Sequence, residues 1–220
     1  MSLGAKTRAT KTPATAPGHR EMEPGLPGDT PRLSHDIPAG KIHLLCGPSA
    51  SGKTTLAKEM ESERRTVRFS IDERLAPPNY PAQPNPAFIG ELVEKARPVF
   101  IEILTESEQR LSHGNEVVLD VGAFRRSTRD FVRRWAARIA QPLTLYYLSA
   151  SRNIRLERLR QRNKLRGNTY AFDVPEWVFE WIEREFQAPT DDEKPIVITD
   201  QPKHAGQLTQ PARGMGKNRR

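Results

Sequence analysis

Short apolar runs alternate with longer amphipathic stretches along the middle of the chain. In the runs nearly every residue is apolar, as in buried parallel strands, whereas in the stretches apolar residues recur at helical spacing. The segments predicted as strands are 41–46, 66–71, 116–120, 142–149 and 195–199. Those predicted as helices are 52–62, 87–113, 128–140, 152–163 and 173–186. The alternation predicts an α/β fold of three layers around a five-stranded parallel sheet.

A few residues predict where these helices begin, end or bend. Ser127 and Asp173 are placed to cap the helices that follow them. Gly114 is typical of a residue that closes a helix in a left-handed conformation. Pro98 lies inside the longest predicted helix and is expected to kink it or divide it in two. The proline-rich segment 76–86 is predicted to be a loop.

The two ends of the chain have compositions that do not favour a packed core. Residues 1–36 are rich in Thr, Pro, Gly and Ala, and residues 201–220 carry five basic and no acidic side chains. Such segments bury too little apolar surface to offset the entropy of ordering, so both are predicted to be disordered tails around one domain at 37–200. The net charge of +8 comes largely from the tails, because 37–200 alone carries +2.

Composition also excludes several classes of protein. No stretch approaches the ~18 consecutive apolar residues of a membrane span, and the N-terminus lacks the apolar stretch of a secretory signal. The single cysteine, Cys46, excludes an intramolecular disulfide framework and is expected to be a small buried residue. No cluster of His and Cys indicates zinc. We therefore expect a cytoplasmic protein without a membrane partner.

The residues after the first predicted strand match the phosphate-binding P-loop pattern, whose fixed positions are Gly47, Gly52, Lys53 and Thr54. The glycines allow successive N–H groups to point at phosphate oxygens, Lys53 supplies an ammonium group, and Thr54 supplies a hydroxyl for Mg²⁺. The residues predicted to bind ATP are Gly47, Pro48, Ser49, Ala50, Ser51, Gly52, Lys53, Thr54 and Thr55. The motif predicts a P-loop NTPase fold, with a Gly/Ser-rich turn that binds nothing as the alternative.

Two acidic residues come at the ends of predicted strands, where ligands gather in a doubly wound sheet. Asp72 follows the second strand and Asp120 ends the third. A kinase needs a base for the acceptor hydroxyl, which we assign to Asp72, and an acid that binds the metal or orients the substrate, which we assign to Asp120. Either residue could instead cap the helix after it. Ser70 either supports the Asp72 carboxylate or is simply a polar strand residue.

An arginine-rich helix is predicted directly after the fourth strand. Arg155, Arg158 and Arg162 fall on one face of it. That face is typical of a lid that presents guanidinium groups to a phosphoryl group in transfer, because the transfer needs its charge neutralised. A solvated basic helix is the alternative. The predicted catalytic residues are Lys53, Asp72, Arg158 and Arg162.

Other polar and aromatic residues leave two interpretations open. Arg125, Arg126 and Arg129 could bind an acceptor phosphate or a nucleic-acid backbone, or could form an ordinary surface. The segment 188–195 could close over the nucleotide or be an acidic loop. Apolar side chains at helical spacing near the end of the domain predict core packing, with a base stacked on Trp177 or Tyr170 as the alternative. They are Trp177, Val178, Trp181, Ile182 and Phe186.

The order of CGPSASGKTTLA, FSIDERL, VVLDVGAFRRSTRD, LERLRQRN and FDVPEWVFEWIEREFQAPTDDE resembles the zeta-toxin and polynucleotide-kinase-like branch of the P-loop kinases. Within it, the chain is most similar to small bacterial AAA-type predicted kinases, and the resemblance spans 41–200. Relatives include polynucleotide 5′-hydroxyl kinases and chloramphenicol phosphotransferase. The resemblance implies that Asp72 is the general base and that Arg158 and Arg162 grip the ATP phosphates.

Taken together, these features predict a kinase that uses ATP and Mg²⁺ to phosphorylate a hydroxyl, on a polynucleotide 5′-end or on a small molecule. Polynucleotide kinases carry an arginine three residues after the base, where this chain has Leu75, with Arg74 one position earlier. This departure weakens the polynucleotide interpretation. The alternatives are a regulatory ATPase without an acceptor and a nucleic-acid-binding protein that acts through its basic tails.

Overall fold

The strands and helices of the computed structural model alternate as the sequence predicts, within the residues that it describes, 41–62, 65–76 and 85–199. The strands are β1 (Ile42–Cys46), β2 (Thr66–Ser70), β3 (Glu116–Asp120), β4 (Leu143–Ser149) and β5 (Ile196–Thr199). The α-helices are α1 (Lys53–Glu61), α2 (Ile71–Leu75), α3 (Pro86–Ser112), α4 (Arg126–Arg138), α5 (Arg152–Leu165) and α6 (Glu176–Glu185). A 3-10 turn spans Asp191–Glu193.

The strands form one parallel sheet in the order β2-β3-β1-β4-β5. At its centre, Leu44 of β1 stands opposite Leu119 of β3 and Leu145 of β4. Near one edge, Ser70 of β2 pairs with Asp120 of β3, so the carboxyl ends of these two strands are level. Because parallel neighbours need crossover connections, helices cover both faces. The predicted three-layer P-loop NTPase fold with a five-stranded parallel sheet is confirmed.

The sheet separates two apolar cores, because successive side chains of a strand point to opposite faces. On one face, Leu44 belongs to a core that includes Phe100 of α3 and Trp135 of α4. On the other face, Leu45 belongs to a smaller core with Ala57 of α1. β1 is therefore packed on both sides, which holds the loop that follows it in a fixed position.

The helix ends differ from the prediction at two of the proposed caps. The N-cap of α4 is Arg125, so the expectation that Ser127 caps this helix is wrong. The N-cap of α6 is Pro175, so Asp173 does not cap it either. Gly114 does close α3, with a φ of +77°.

The longest helix runs through its proline without a break, so of the two outcomes expected at Pro98 the division of α3 is wrong, and a kink stays a prediction. A proline in a helix leaves the carbonyl four residues earlier without its N–H partner. Here that carbonyl belongs to Glu94, and both Glu94 and Pro98 are exposed. Water can therefore take the place of the missing hydrogen bond.

Some predictions fall on parts of the chain that are not described. They are the tails at 1–36 and 201–220 and most of the loop at 76–86. The described helices include none that is both long and apolar enough to cross a membrane.

Candidate active site

The candidate site lies where the P-loop leaves the centre of the sheet. Residues 47–52 connect β1 to α1. β3 lies on one side of β1 and β4 on the other, so the order of the strands along the chain reverses at β1. Ligands of doubly wound folds bind at this switch point, outside the carboxyl ends of the strands. The carboxyl ends of β2 and β3 lie at this same edge of the sheet.

The backbone of the P-loop is tightly packed and shaped for an anion. A Cβ at Gly47 would lie 2.6 Å from the carbonyl oxygen of Leu148 and 2.5 Å from Ser51 Oγ, so only glycine fits there. Ala50 and Gly52 have φ values of +58° and +102°, which turn the loop into α1. Gly52 is the N-cap of α1, and no described side chain caps this helix. The N–H groups of its first turn therefore remain available for a phosphate.

The Lys53 side chain folds back along the loop. Its Nζ donates hydrogen bonds to the carbonyl oxygens of Gly47 and Pro48, each at 2.9 Å. Burial lowers the pKa of Lys53, while the nearby carboxylates of Asp120 and Asp72 act in the opposite direction. The Lys53 ammonium group lies beside the backbone N–H groups of the P-loop.

The residues predicted to bind the nucleotide also line the cleft described below, with the exception of Pro48.

Thr54 and Asp120 form a pair of oxygen ligands beside Lys53. Thr54 Oγ1 donates a hydrogen bond of 2.7 Å to Oδ2 of the buried Asp120. Hydroxyl and carboxylate oxygens suit Mg²⁺, which usually completes its shell with water and phosphate oxygens. No group of three or more His, Cys, Asp or Glu among the described residues could hold a metal ion alone. The pair thus fits a Mg²⁺ ion that is shared with nucleotide phosphates.

Asp72 lies in the first turn of α2, a short helix that the sequence did not predict. The helix is capped by Ser70, whose Oγ accepts a hydrogen bond from the Glu73 N–H at 3.4 Å. The cap interpretation of Asp72 is therefore wrong, and the Ser70 hydroxyl caps α2 instead of binding the Asp72 carboxylate. Asp120 does not cap α4 either, because its N-cap is Arg125.

The pKa of the Asp72 carboxyl is above the usual value of an aspartate. Much of its surface is open, but it opens into a deep cleft whose walls limit its hydration. Desolvation raises the pKa of Asp72 to about 6, Asp120 adds to the rise, and Lys53 and Arg162 oppose it. A carboxyl with a pKa near 6 can accept a proton at neutral pH, as a general base must.

The arginines of α5 divide into two groups, although the sequence places Arg155, Arg158 and Arg162 on one face. Arg155 is buried and binds Glu183 of α6 through two hydrogen bonds of 2.5 and 2.6 Å. Its Nε also donates to the carbonyl oxygen of Ala150 at 2.9 Å. Arg155 therefore links the helix to its neighbour. The sequence did not predict this link.

Arg158 and Arg162 line the cleft, as predicted. Arg162 is half-buried, and its charge lowers the pKa values of both Lys53 and Asp72. Arg162 therefore lies within electrostatic reach of the P-loop and of the predicted base. Arg158 is exposed, one helical turn earlier on α5.

The arginine most strongly bound within the described residues lies on α4. Arg129 is 0% exposed, and its Nε and Nη2 donate to the Glu193 carboxylate at 2.7 and 2.8 Å. Its Nη1 donates to the carbonyl oxygen of Gln187 at 2.9 Å. Phosphate binding by Arg129 is therefore wrong. Glu193 holds the segment 188–195 against the core, and none of that segment lines the cleft described below. The interpretation as an acidic loop therefore agrees with the structure, and closure over the nucleotide does not.

Three further basic residues have carboxylate partners. Arg126 pairs with Asp192, and Arg125 donates to Glu185 at 2.8 Å while lining the cleft. Arg74 binds Glu106 of α3 through two hydrogen bonds of 2.7 Å. Arg74 is thus engaged on the outside of α2 and does not take the place of the arginine that polynucleotide kinases carry near the base.

The predictions for Cys46 and the tryptophans have mixed outcomes. Cys46 is buried, and burial raises the pKa of its thiol to about 11, as expected of an inert core residue. Trp177 is 36% exposed, so core packing is wrong for it. Trp181 lies edge-on to the Phe124 ring at 6.2 Å and lines the cleft.

A cleft of about 1410 Å³ joins the P-loop, Asp72, Asp120, Arg158 and Arg162. Its further walls come from the loop after β3, the segment 167–174, the N-terminal half of α3 and one side of α6. The sequence did not predict the contribution of α3 and α6. Its only signal was the helical spacing of apolar residues, which is equally typical of a helix that packs in a core.

The chain matches a known family over most of its folded part. The profile of the AAA domain family matches residues 42–189. The chain belongs to this family. The match spans β1, the P-loop, Asp72, Asp120 and α5, so the candidate site lies inside the region that the AAA domain family shares. No curated protein sequence matches the chain.

Solved structures resemble this member of the AAA domain family in fold. Kti12 of Chaetomium thermophilum, in complex with ADP-AlF3, has a TM-score of 0.54 and 14% identity over 74% of this chain and 91% of that chain. A sugar kinase from Janibacter sp. HTCC2649 has a TM-score of 0.52 and 19% identity over 75% of this chain and 88% of that chain. The APS kinase CysC of Mycobacterium tuberculosis, in complex with AMPPNP and APS, has a TM-score of 0.51 and 14% identity over 76% and 91%.

Proposed function

We propose that this protein is an ATP-dependent kinase that transfers the γ-phosphoryl group to a hydroxyl acceptor. The observation that carries the proposal is the arrangement of two carboxylates at the ends of adjacent strands. Asp120 is buried and bonded to Thr54, whereas Asp72 opens into the cleft with a pKa of about 6. Two carboxylates with different environments suit two different roles, one as a metal ligand and one as a base.

The P-loop is the proposed site of the nucleotide. Its N–H groups and the first turn of α1 receive phosphate oxygens, and the Lys53 ammonium exchanges its bonds to the Gly47 and Pro48 carbonyls for bonds to the β- and γ-phosphates. Thr54 and Asp120 would hold Mg²⁺, which neutralises phosphate charge when it is bound. Arg162, with Arg158 beside it on α5, stabilises the negative charge of the phosphoryl group in transfer.

Asp72 is the proposed general base. It accepts the proton of the acceptor hydroxyl as the oxygen–phosphorus bond forms, and the bond from the γ-phosphorus to the bridging oxygen breaks to release ADP. The raised pKa of Asp72 makes this proton transfer effective near neutral pH. A protein that only hydrolyses ATP does not need such a base for an acceptor. The order of the motifs also supports a place in the zeta-toxin and polynucleotide-kinase-like branch.

The test compares two neighbouring carboxylates of α2. Asp72→Asn should lower the rate of phosphoryl transfer by about 10²–10⁴-fold, the usual contribution of a general base, with ATP affinity little changed. Glu73→Gln is the matched control, because Glu73 is exposed and pairs with Arg68 outside the cleft. Transfer from labelled ATP is measured against 5′-hydroxyl DNA and RNA, nucleosides, sugars, aminoglycosides and chloramphenicol.

Two results would contradict the proposal. One is that Asp72→Asn transfers phosphate as fast as Glu73→Gln. The other is that no acceptor is labelled while both variants hydrolyse ATP at the rate of the unaltered protein, which would favour a regulatory ATPase.

A further inference from the structure

The part of the cleft next to α2 is apolar. Its wall comes from two helices, with Ile89, Leu92 and Val93 on α3 and Val178, Trp181 and Ile182 on α6. Ile89, Leu92 and Val178 are buried in one cluster that joins the helices. This third cluster is separate from the two cores of the sheet. It forms a wall of the cleft, and neither of the two cores that pack on the sheet includes it.

The apolar wall lies on the side of the predicted base. Val174 lines a small pocket together with Asp72 and also packs on the cluster of Ile89, Leu92 and Val178, so this cluster lies close to the predicted base. The phosphate-binding groups come from the P-loop and from α5. An acceptor hydroxyl that reaches Asp72 therefore has the rest of its molecule beside α3 and α6.

Half of the large apolar side chains that are exposed among the described residues line this cleft. Among the described residues, the large hydrophobic side chains that are clearly exposed are Val93, Ile154, Leu165, Trp177, Ile196 and Val197. Three of them, Val93, Ile154 and Leu165, line the cleft. Val93 belongs to the wall itself and is 42% exposed. Apolar side chains that are exposed within a concave site are typical of a ligand pocket.

The charge of the wall is unfavourable for an anion. The residues that α3 and α6 contribute to the cleft include one charged side chain, Glu94, which is acidic. Arg125 also lines the cleft, and its guanidinium is already paired with Glu185 of α6. A polynucleotide 5′-end would need several contacts to its phosphates. A sugar or sugar acid would need a dense set of hydrogen-bonding groups, because each buried hydroxyl without a partner costs about 1–3 kcal/mol. The wall provides neither.

We infer that the acceptor, given the proposed kinase function, is a neutral hydroxyl compound with an apolar scaffold of aromatic size, bound between α3 and α6. The hydroxyl points to Asp72, and the scaffold packs on Val93, Trp181 and Ile182. Neither a polyol nor a nucleic acid fits this wall.

The first experiment measures binding, which does not depend on catalysis. The probes are 2-phenylethanol, D-glucose and a 5′-hydroxyl oligothymidylate, each titrated against the full chain with AMPPNP present and followed by calorimetry or ligand-observed NMR. We expect 2-phenylethanol to bind most tightly. Val93→Asp, which adds a second carboxylate to the wall, should weaken that binding at least about tenfold, a loss of ~1.4 kcal/mol.

Val197→Asp is the matched control, because Val197 is 53% exposed on β5 and does not line the cleft. It should bind 2-phenylethanol like the unaltered protein, and both variants should bind AMPPNP equally well. The inference is overturned if glucose or the oligothymidylate binds more tightly than 2-phenylethanol. It is also overturned if Val93→Asp and Val197→Asp bind 2-phenylethanol equally well.

Transfer from labelled ATP to the same probes separates this inference from the proposed function. If 2-phenylethanol binds through Val93 but neither it nor any acceptor of the wider panel is phosphorylated, the apolar site is supported and the kinase function is contradicted. If glucose or the oligothymidylate accepts the phosphoryl group and 2-phenylethanol does not, the kinase function stands and the inference about the acceptor is wrong.

Discussion

Helices α4 and α5 are both rich in arginine, yet the fold uses their arginines in different ways. On α4, Arg129 is fully buried and bound to Glu193, and Arg126 pairs with Asp192. On α5, Arg158 and Arg162 line the cleft beside the P-loop. From sequence, α5 was the predicted lid and the arginines at the start of α4 were a second candidate for phosphate binding. Their difference shows that the role of an arginine depends on which groups the fold places opposite it.

The same division occurs within α5 itself. Arg152, Arg155 and Arg160 pair with carboxylates of α6, and only the Arg155 pair is largely buried. Exposed pairs contribute little to stability, whereas a buried bidentate pair is costly to break. Arg155 therefore fixes the position of α5, and the fixed helix carries Arg158 and Arg162 along one side of the cleft.

The largest effect is expected at the buried pair of α4. Arg129→Ala leaves the Glu193 carboxylate buried with one partner fewer, and should lower the free energy of unfolding by about 3–5 kcal/mol. The control, Arg126→Ala, removes an exposed pair that solvent screens, and should leave the free energy of unfolding almost unchanged. Urea denaturation measures both. If the two variants are equally stable, Arg129 is not the structural arginine that its burial indicates.

The opposite pattern is expected at Arg162. Arg162→Ala should lower kcat by about 10²–10³-fold, the usual effect of removing one donor to a transition-state charge, while its urea midpoint stays close to that of the unaltered protein. Steady-state kinetics with an acceptor identified by labelled-ATP transfer provides kcat. A large loss of stability with little change in kcat would place Arg162 in the same group as Arg129.

The link between α5 and α6 should have an intermediate effect. Glu183→Ala leaves the buried Arg155 guanidinium without its bidentate partner, and should lower the free energy of unfolding by about 2 kcal/mol. Loosening α5 should also lower kcat, although Glu183 does not line the cleft. Glu180→Ala, at the exposed Arg152 pair, is the control and should change neither quantity measurably. Equal losses in the two variants would contradict the positioning role of Arg155.

The smallest effect is a change in pH dependence. A base with a pKa of about 6 is mostly protonated at pH 5, so kcat/KM should be about tenfold lower there than at its plateau above pH 7. Arg162 lowers the pKa of Asp72, so Arg162→Ala should move the midpoint to higher pH. Arg126→Ala should leave the midpoint unchanged. ATP binding is measured over the same range to correct for titration of the nucleotide, and a downward shift in Arg162→Ala would contradict the assignment.

Local patterns were sufficient to predict much of this protein. The five strands, the P-loop and the placement of Asp72 and Asp120 follow from apolar runs and from motifs in which each residue's environment is set by near neighbours in sequence. The proposed caps at Ser127 and Asp173 were wrong because each helix starts from a different residue, Arg125 or Pro175, without a side-chain capping hydrogen bond. The start of these helices is set by the backbone and not by the nearest polar side chain.

The amino-acid sequence by itself determined the layered α/β fold and the phosphate loop, because both depend on the order of residues along short segments. Only the tertiary structure decided that Arg129 is buried while Arg162 lines the cleft, because their partners lie far away in sequence and every arginine carries the same charge. The same holds for the apolar wall of α3 and α6. A helical stripe of Ile, Leu and Val is identical in sequence whether it faces a core or a cleft, and only the packing of the remaining elements leaves one side of it open.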